Sequence, residues 1–311
     1  MTRWFNRCFY YSVGVLPLVL LVSSCTATHL HSTPPVRHYQ SAYIPSQSGS
    51  SPDEHSLTVM TLNIAHGRGT SFHQMLQYSD ATKKNLDAIS TLLNQVGPDV
   101  VAFQEIDGPS FWSGNFNHLG YLASRSLFAN SVQAAHVEGM GLSYGTALMS
   151  RLELSDPKAV TFAPSLSTVP KGFVVSTISW PGQEGIGIDV ISCHLDFMSR
   201  SARKRQAEEL IALLRARKNR VIIMGDLNSG WHEHESVAQY LVEQLGLAAY
   251  QPENRGIVTF PALGERLDWI LISPGLEFSS HEVIGTPVSD HRGIVAKLTL
   301  SGADPTSTAP R

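Results

Sequence analysis

The segment VIIMGDLN (residues 221–228) decides the fold of this chain, because an apolar run of strand type ends in a glycine and two polar side chains. Its first four residues are β-branched or large and apolar, which is typical of a strand buried on both faces. Gly225 permits a sharp exit from that strand. Asp226 and Asn228 lie two residues apart, so both can face one pocket. The segment therefore predicts a buried strand whose end carries chemistry.

Five further motifs stand at the ends of similar apolar runs; three of them close a run and two open one. They are Leu62-Asn63-Ile64, Gln104-Glu105, His194-Leu195-Asp196, Leu267-Asp268-Trp269 and Ser289-Asp290-His291. Strands that run one way and end in polar groups, with strands that run the other way and begin with them, place these groups along one edge of an antiparallel or mixed sheet. Carboxylates, carboxamides and imidazoles gathered there are what metal-assisted cleavage of a phosphodiester requires.

Two helices separate these strands. Ser79 and Asp80 offer caps for a helix over residues 81–96, which Gly97-Pro98 ends, and residues 201–217 form a second amphipathic helix. The basic residues of the second helix alternate with acids, so we interpret them as a solvated face and not as a nucleic-acid contact. Strands separated by helices, followed by hairpin-like strands, predict two sheets packed as a sandwich and flanked by helices.

The N-terminus has the pattern of a targeting segment. Arg3 and Arg7 precede an apolar stretch over residues 12–22, and Val22-Ser23-Ser24-Cys25 looks like a bacterial lipobox, in which Cys25 receives lipid. An ordinary secretory signal with a chance cysteine is the alternative. Thr26 stands where an aspartate would favour inner-membrane retention. We therefore expect a cell-envelope lipoprotein, on the outer membrane if the source has one.

The predicted organisation has four parts. Residues 1–24 are a lipoprotein signal peptide, residues 25–56 a flexible tether rich in Ser, Pro, His and Thr, residues 57–301 one catalytic domain, and residues 302–311 a disordered tail. A monomer is expected.

The net charge and the cysteine content argue against several kinds of protein, namely nucleic-acid binders, disulfide-stabilised proteins and proteins with a thiolate zinc site. Removal of residues 1–24 deletes two arginines and no acid, which takes the formal net charge from −3 to −5 and lowers the expectation of nucleic-acid binding. Three cysteines give no disulfide framework, and Cys193 in an apolar strand is interpreted as a small buried hydrophobe. A lone thiol there also argues against a thiolate zinc site.

The six motifs in this order resemble those of the endonuclease/exonuclease/phosphatase superfamily, over residues 57 to about 300. Its members include pancreatic-type deoxyribonucleases, abasic-site endonucleases, bacterial sphingomyelinases and inositol-phosphate phosphatases. The resemblance implies the deoxyribonuclease-I-like fold, which is an α/β (α+β) four-layer α/β/β/α sandwich of two mixed sheets flanked by helices. It also implies a metal-dependent hydrolase of phosphoester bonds.

The resemblance assigns catalytic roles to five residues. Asp226 orients or deprotonates the attacking water, and Asn228 donates to a phosphate oxygen. His194 contacts the phosphate or acts as the acid on the leaving oxygen. Asp268 and His291 form an acid–imidazole pair, in which the carboxylate fixes the imidazole tautomer. The sequence leaves open whether His291 is the base, or a cation that stabilises the phosphate while Asp226 is the base.

Three residues are predicted metal ligands. Glu105 is the best candidate, because a carboxylate at a strand end is well placed to hold a hard cation, and the resemblance gives it Mg²⁺. Asn63 resembles the family's strand-end asparagine, and the resemblance places Asp290 near the metal. Oxygen and nitrogen donors without thiolates favour Mg²⁺, Mn²⁺ or Ca²⁺. His66 is predicted either to line the site or to sit in a loop, and residues 231–234 (Trp-His-Glu-His) are predicted to be a loop that rims the pocket, since they lack HExxH spacing.

Several alternatives remain open. The substrate is a phosphodiester from nucleic acid, a phospholipid head group or a sugar phosphate, and aromatic residues in the predicted specificity loops, such as Phe111 and Trp112, would either stack on it or anchor the loops. A calcineurin-like metallophosphatase is disfavoured, because the chain has no Gly-Asn-His motif. A non-catalytic surface binding module on the same fold predicts lost catalytic residues, whereas all six motifs are filled.

Overall fold

The computed structural model describes residues 32–40, 53–71, 79–165 and 168–302. The predicted signal peptide, Cys25 and nearly all of the predicted tail lie outside these ranges.

Thirteen strands are present in the part of the chain that is described. They are β1 (Val36–Gln40), β2 (Ser56–Asn63), β3 (Val100–Asp107), β4 (Asn130–Gly139), β5 (Leu142–Ser150), β6 (Ser155–Thr161), β7 (Gly172–Trp180), β8 (Gln183–His194), β9 (Arg220–Asp226), β10 (Ala248–Ala249), β11 (Asp268–Ile272), β12 (Leu276–Val283) and β13 (Ile294–Leu300). The α-helices are α1 (Ser79–Val96), α2 (His118–Ala123), α3 (Arg200–Arg217) and α4 (Val237–Leu245). The two predicted helices are confirmed as α1 and α3, with starts that differ by one or two residues.

The strands form two mixed sheets. The seven-stranded sheet has the order β1-β4-β5-β3-β2-β13-β12, and the six-stranded sheet has the order β10-β11-β9-β8-β7-β6. Among the strands that are described, β2–β3 and β8–β9 pair in parallel and the other neighbours pair antiparallel. The expectation of a single sheet edge for all the polar motifs was wrong, because the motifs are divided between two sheets that meet face to face.

Three apolar clusters account for the four layers. One fills the space between the sheets and includes Val59, Ala102, Val190, Met224 and Ile270. A second joins the outer face of the six-stranded sheet to α3 and α4. The third joins the outer face of the seven-stranded sheet to α1 and α2. Strands buried on both faces explain the continuous apolar runs in the sequence, and the predicted α/β/β/α sandwich is confirmed.

The predicted tether needs a correction. Val36–Gln40 forms edge strand β1 and pairs with residues 130–134 of β4. Ser32 forms an isolated antiparallel bridge with Thr161, at the end of β6. The Ser, Pro and His content suggested flexibility, but a lone strand on an existing sheet edge needs only backbone hydrogen bonds, which composition does not report.

Polar side chains also link the two sheets. They lie close to the strand ends that carry the polar motifs, which we call the motif end. The Gln104 amide donates to Ser192 Oγ at 3.0 Å, and that hydroxyl donates to the carbonyl of Phe103 at 2.7 Å. His136 is buried, with its ring nitrogens 2.9 Å from the hydroxyls of Thr161 and Thr146. A side chain at Gly172 would overlap this ring, so the ring and the glycine are matched in shape.

His136 is expected to make stability depend on pH. Burial lowers the pKa of His136 to about 3, so the unfolded chain takes up this proton first as the pH falls below about 6.5. The contribution of His136 is therefore complete above about pH 6.5 and is lost toward acid, at up to about 1.4 kcal/mol per pH unit. His136→Gln should flatten the plot of unfolding free energy against pH between about 6 and 4, as measured by urea denaturation. An unchanged slope would contradict this role.

Among the helices that are described, none has both the length and the apolar character needed to cross a bilayer.

Candidate active site

Three predicted catalytic residues lie in one row of the six-stranded sheet. His194 of β8 is in register with Asp226 of β9, and Asp226 is in register with Asp268 of β11. Residues that pair directly across neighbouring strands place their side chains on the same face. All three side chains are buried. The six-stranded sheet thus supplies an imidazole and two carboxylates at its motif end.

His291 joins the two carboxylates. Its Nδ1 lies 2.9 Å from Asp268 Oδ2, and its Nε2 lies 3.7 Å from Asp226 Oδ2. The ring packs on Phe260, with 4.7 Å between centroids. Thr259 fixes the backbone beside Asp268, since its hydroxyl accepts from the amide nitrogen of Asp268 at 3.1 Å. The predicted acid–imidazole pair is present, with a second acid on the far side of the ring.

His291 and Asp226 affect each other's pKa. Burial alone would lower the pKa of His291, but the Asp268 and Asp226 carboxylates outweigh it and raise that pKa. Burial also raises the pKa of Asp226, against the opposing charge of His291. An imidazole between two buried carboxylates is held as a cation, so in the free site His291 carries the proton. This arrangement favours His291 as the charge-stabilising cation and Asp226 as the group that orients water.

Two asparagines position Asp226. The Asn63 amide donates to Asp226 Oδ2 at 3.1 Å, and the backbone nitrogen of Asn228 donates to Asp226 Oδ1 at 2.9 Å. The Asn228 side-chain amide donates to the carbonyl of Leu195 at 3.0 Å, which leaves its second N–H for another acceptor. Gly225 has φ 149°, and a Cβ there would overlap the carbonyl of Cys193. The glycine of the motif is required by this close approach of two strands.

Glu105 enters the site from the seven-stranded sheet. It lies in a bulge of β3 between Gln104 and Ile106, where its φ of 52° turns the side chain away from the ladder. Its carboxylate is 3.4 Å from Lys171 Nζ, 3.5 Å from His66 Nε2 and 3.9 Å from His194 Nε2. Burial raises the pKa of Glu105, but the charges of Lys171 and His66 outweigh it and hold the pKa below its usual range. Glu105 is therefore ionised.

Lys171 is a site residue that the sequence did not reveal. It immediately precedes β7, is buried, and lies 3.4 Å from both Glu105 Oε1 and His194 Nδ1. Burial and the charge of Lys171 lower the pKa of His194 well below its usual value. A neutral His194 that accepts from Lys171 at Nδ1 carries its proton on Nε2, which lies 3.5 Å from Asp226 Oδ2. His194 is thus set as a hydrogen-bond donor toward the site.

Lys171→Met is expected to lower turnover of a phosphodiester by about tenfold or more, because His194 loses the partner that fixes its tautomer and orientation. Lys171→Arg should restore part of the rate. Lys158→Met, at an exposed lysine of β6, is the matched control. Steady-state kinetics on folded protein check the effect, and equal rates for the Met variants at 171 and 158 would rule it out.

His66 lines the site, which answers the question that the sequence left open. Its Nδ1 lies 2.7 Å from Asp107 Oδ1, and its ring contacts Trp112 and Tyr144 edge-on. Asp107 is fully buried and also accepts from Trp112 Nε1 at 2.8 Å and from Ser113 Oγ at 2.5 Å. Asp107 was missed as well, and its only local signal is its place two residues after Glu105. Trp112 here anchors a loop.

The third predicted metal ligand, Asp290, is 29% exposed and forms an ion pair with Arg68. Among the described residues, one group of three or more His, Cys, Asp or Glu side chains has ligand atoms within 4.8 Å of one another, namely Asp226, Asp268 and His291. The buried Oδ1 of Asp268 has no hydrogen-bond partner. The predicted ligands Asn63, Glu105 and Asp290 do not form this group, and their role stays a prediction.

Residues 231–234 form a loop, as predicted. Glu233 accepts from the buried Arg203 at 2.7 Å, and His232 Nδ1 lies 3.6 Å from Glu253. The interpretation of the basic residues of α3 as a solvated face was wrong for Arg203, because its side chain is 1% exposed and also donates to the carbonyl of Asp196. Asp196 itself caps the following turn, since its carboxylate accepts from Thr168 and from the backbone nitrogen of Ser199.

The chain is similar to known proteins in sequence family and in fold. Residues 60–291 match the Endonuclease/Exonuclease/phosphatase family. No curated protein sequence matches the chain. An endonuclease/exonuclease/phosphatase from Beutenbergia cavernae is 20% identical, covers 80% of this chain and 72% of its own, and superposes with a TM-score of 0.62. A family protein from Leptotrichia buccalis is 20% identical, with coverage of 77% and 98% and a TM-score of 0.58.

A more distant structure has the same fold. Truncated TDP2 from Caenorhabditis elegans is 16% identical, with coverage of 78% of this chain and 97% of its own and a TM-score of 0.57. At these identities the solved structures establish the fold, and the match over residues 60–291 establishes the family. This chain belongs to the endonuclease/exonuclease/phosphatase family, whose members are typically metal-dependent phosphoester hydrolases.

Proposed function

We propose that the protein is a divalent-metal-dependent phosphodiesterase, anchored to a membrane by lipid on Cys25. The observation that carries the catalytic part is the buried Asp268–His291–Asp226 group, with His291 Nδ1 2.9 Å from Asp268 and His291 Nε2 3.7 Å from Asp226. Each catalytic position is filled, and the hydrogen bonds hold each one in place. A binding module that had lost catalysis would not need this arrangement.

The reaction is the hydrolysis of a phosphodiester by water. A new bond forms between the water oxygen and phosphorus, the bond from phosphorus to the leaving oxygen breaks, and a proton passes to the leaving alcohol, so that the products are a phosphomonoester and an alcohol. Asp226 orients the water and accepts its proton. The His291 cation and the donors His194 and Asn228 stabilise the charge on the phosphate oxygens. Asp268 keeps His291 oriented.

The metal is assigned to Glu105, Asn63 and Asp290. The set contains an ionised carboxylate, a second carboxylate and a carboxamide oxygen, which fits a hard dication such as Mg²⁺, Mn²⁺ or Ca²⁺. The group Asp226–Asp268–His291 fits less well, because a protonated imidazole has no lone pair left for a metal. When bound, the ion would supply positive charge to a phosphate oxygen.

A substrate panel tests this function. It comprises DNA, RNA, sphingomyelin, a sugar phosphodiester and bis(p-nitrophenyl) phosphate, each with Mg²⁺, Mn²⁺ or Ca²⁺. Turnover of at least one diester by the folded wild type, and its loss in Asp226→Asn, is the expected result. A folded protein that binds a diester but turns over none of the panel would instead indicate the binding module.

The lipid anchor has its own test. The motif Val22-Ser23-Ser24-Cys25 after a short apolar stretch supports it, and the place of the anchor would be the cell envelope, at the outer membrane if there is one. Cys25→Ala should release the protein from the membrane fraction, because a covalent acyl group is lost. Mass spectrometry of the mature N-terminus should find acyl chains on Cys25. Membrane partition of the alanine variant, with no acyl mass in the wild type, would refute the anchor.

A further inference from the structure

The chain enters the domain at the end of the sheets that carries the catalytic residues. Ser32 and Thr161 exchange two backbone hydrogen bonds, of 2.9 and 2.8 Å. The chain then crosses to the other sheet, where β1 runs antiparallel to β4. Since β4 runs toward the motif end and stops at Gly139, β1 runs away from it. Ser32 therefore lies at the motif end, which we call the catalytic edge.

Residues that pair across neighbouring strands form a row from Ser32 to Asp226, and the length of this row gives the distance from Ser32 to the site. Ser32 pairs with Thr161, Thr161 with Gly172, Gly172 with His194, and His194 with Asp226. Neighbouring strands are about 4.8 Å apart, so Ser32 lies about 15 Å from His194 along the sheet and about 20 Å from Asp226. Ser32 is thus held near the site.

Only seven residue steps separate Cys25 from Ser32. A fully extended chain of that length spans at most about 25 Å. The predicted tether of residues 25–56 would have let the domain drift much farther from its anchor. With Ser32 held at the catalytic edge, a lipid on Cys25 would keep that edge near the bilayer surface.

The exposed apolar side chains also lie at the catalytic edge. Within the described residues, the large apolar side chains that are exposed are Phe111 (54%), Met140 (66%) and Met198 (38%). Phe111 follows β3, Met140 is in the turn between β4 and β5, and Met198 follows β8, so all three lie at the catalytic edge. The backbone nitrogen of Phe111 donates to the carbonyl of Gly141 at 3.0 Å, which places the first two loops side by side.

We infer that the catalytic edge faces the bilayer that holds the Cys25 lipid, and that the substrate is the phosphodiester of a lipid in that bilayer. The inference rests on the proposed phosphodiesterase function and its anchor. Apolar side chains at an edge insert at the boundary between head groups and acyl chains, where lipid phosphates lie. The formal net charge of the chain without residues 1–24 is −5, which disfavours nucleic acid as the substrate.

The test uses the full-length, lipidated protein in vesicles of phosphatidylethanolamine and phosphatidylglycerol with Mg²⁺. Two rates are measured on the same vesicles, namely cleavage of the lipid phosphodiester, followed by phosphorus NMR, and cleavage of soluble bis(p-nitrophenyl) phosphate. One variant carries a semi-rigid helical spacer of about 30 residues after Thr26, which adds about 45 Å. The same spacer after Gly302, beyond β13, is its control. A second variant replaces Phe111, Met140 and Met198 with serine.

We expect the spacer after Thr26 and the triple serine variant each to lower lipid cleavage about tenfold or more, with soluble-ester cleavage unchanged, and the spacer after Gly302 to lower neither. Wild-type cleavage of the soluble ester without cleavage of vesicle lipid would overturn the inference and leave the proposed function standing, as would equal lipid cleavage by all four proteins. Failure of the wild type on both substrates would count against the proposed function itself.

Discussion

His291→Ala is expected to lower phosphodiester turnover at least about a hundredfold, because the variant removes the cation that faces the phosphate and the group that holds Asp226. Its Nδ1 lies 2.9 Å from Asp268 and its Nε2 3.7 Å from Asp226, and all three side chains are buried. Loss of the ring also leaves two buried carboxylates without their shared counter-charge. Turnover on a diester from the panel measures the effect, with circular dichroism to confirm the fold.

The double variant Asp268→Ala/His291→Ala sharpens this prediction. If the two residues act as one unit, the double variant should lose little more rate than the worse single variant. His281→Ala is the matched control, since this histidine is in β12 and stacks on Tyr250 at 4.6 Å, outside the catalytic group. Additive losses would separate Asp268 from His291, and near-normal turnover in folded His291→Ala would remove His291 from the mechanism.

Glu105→Gln is expected to lower metal affinity and turnover together, each by at least about tenfold, while the fold persists. The substitution keeps the size of the side chain but removes the negative charge that Lys171 and His66 now face at 3.4 and 3.5 Å. A hard dication binds a carboxylate far better than a neutral amide. Isothermal titration with Mn²⁺ and turnover as a function of Mn²⁺ concentration give the two numbers.

Glu243→Gln, at an exposed glutamate of α4, is the control for Glu105. It should change neither metal affinity nor turnover. If Glu105→Gln lost turnover but bound Mn²⁺ as tightly as the wild type, the metal would have to be reassigned, and the group Asp226–Asp268–His291 would be the next candidate.

Much of this site could be predicted from local sequence patterns. Gly225, Asp226 and Asn228 follow a run that can only be a buried strand, and a strand end fixes where its side chains go. Glu105 and His194 also follow apolar runs of strand type. The direction of the Glu105 side chain, however, depends on a bulge in β3 that no local sequence pattern predicts. The family resemblance supplied the order of the motifs and, with it, the pairing of Asp268 with His291.

The remaining features depend on contacts between distant parts of the chain. Lys171 reaches Glu105 across the interface of the two sheets, 66 residues away in sequence. Arg68 reaches Asp290 across 222 residues. The edge strand β1 forms because β4 leaves an open edge, and its own composition resembles a linker. Periodicity and motif spacing describe one segment at a time, so they do not contain such pairings.

Hydrolysis of bis(p-nitrophenyl) phosphate by purified wild type and by Asp226→Asn, each with Mg²⁺ and again with excess chelator, tests the central claim most directly. The variant keeps the size of the side chain but removes the carboxylate that faces His194, His291 and Asn63. We predict turnover only for the wild type with metal, and a loss of about a hundredfold or more in each of the other three conditions. Equal turnover by wild type and Asp226→Asn, or full wild-type turnover in chelator, would contradict the account.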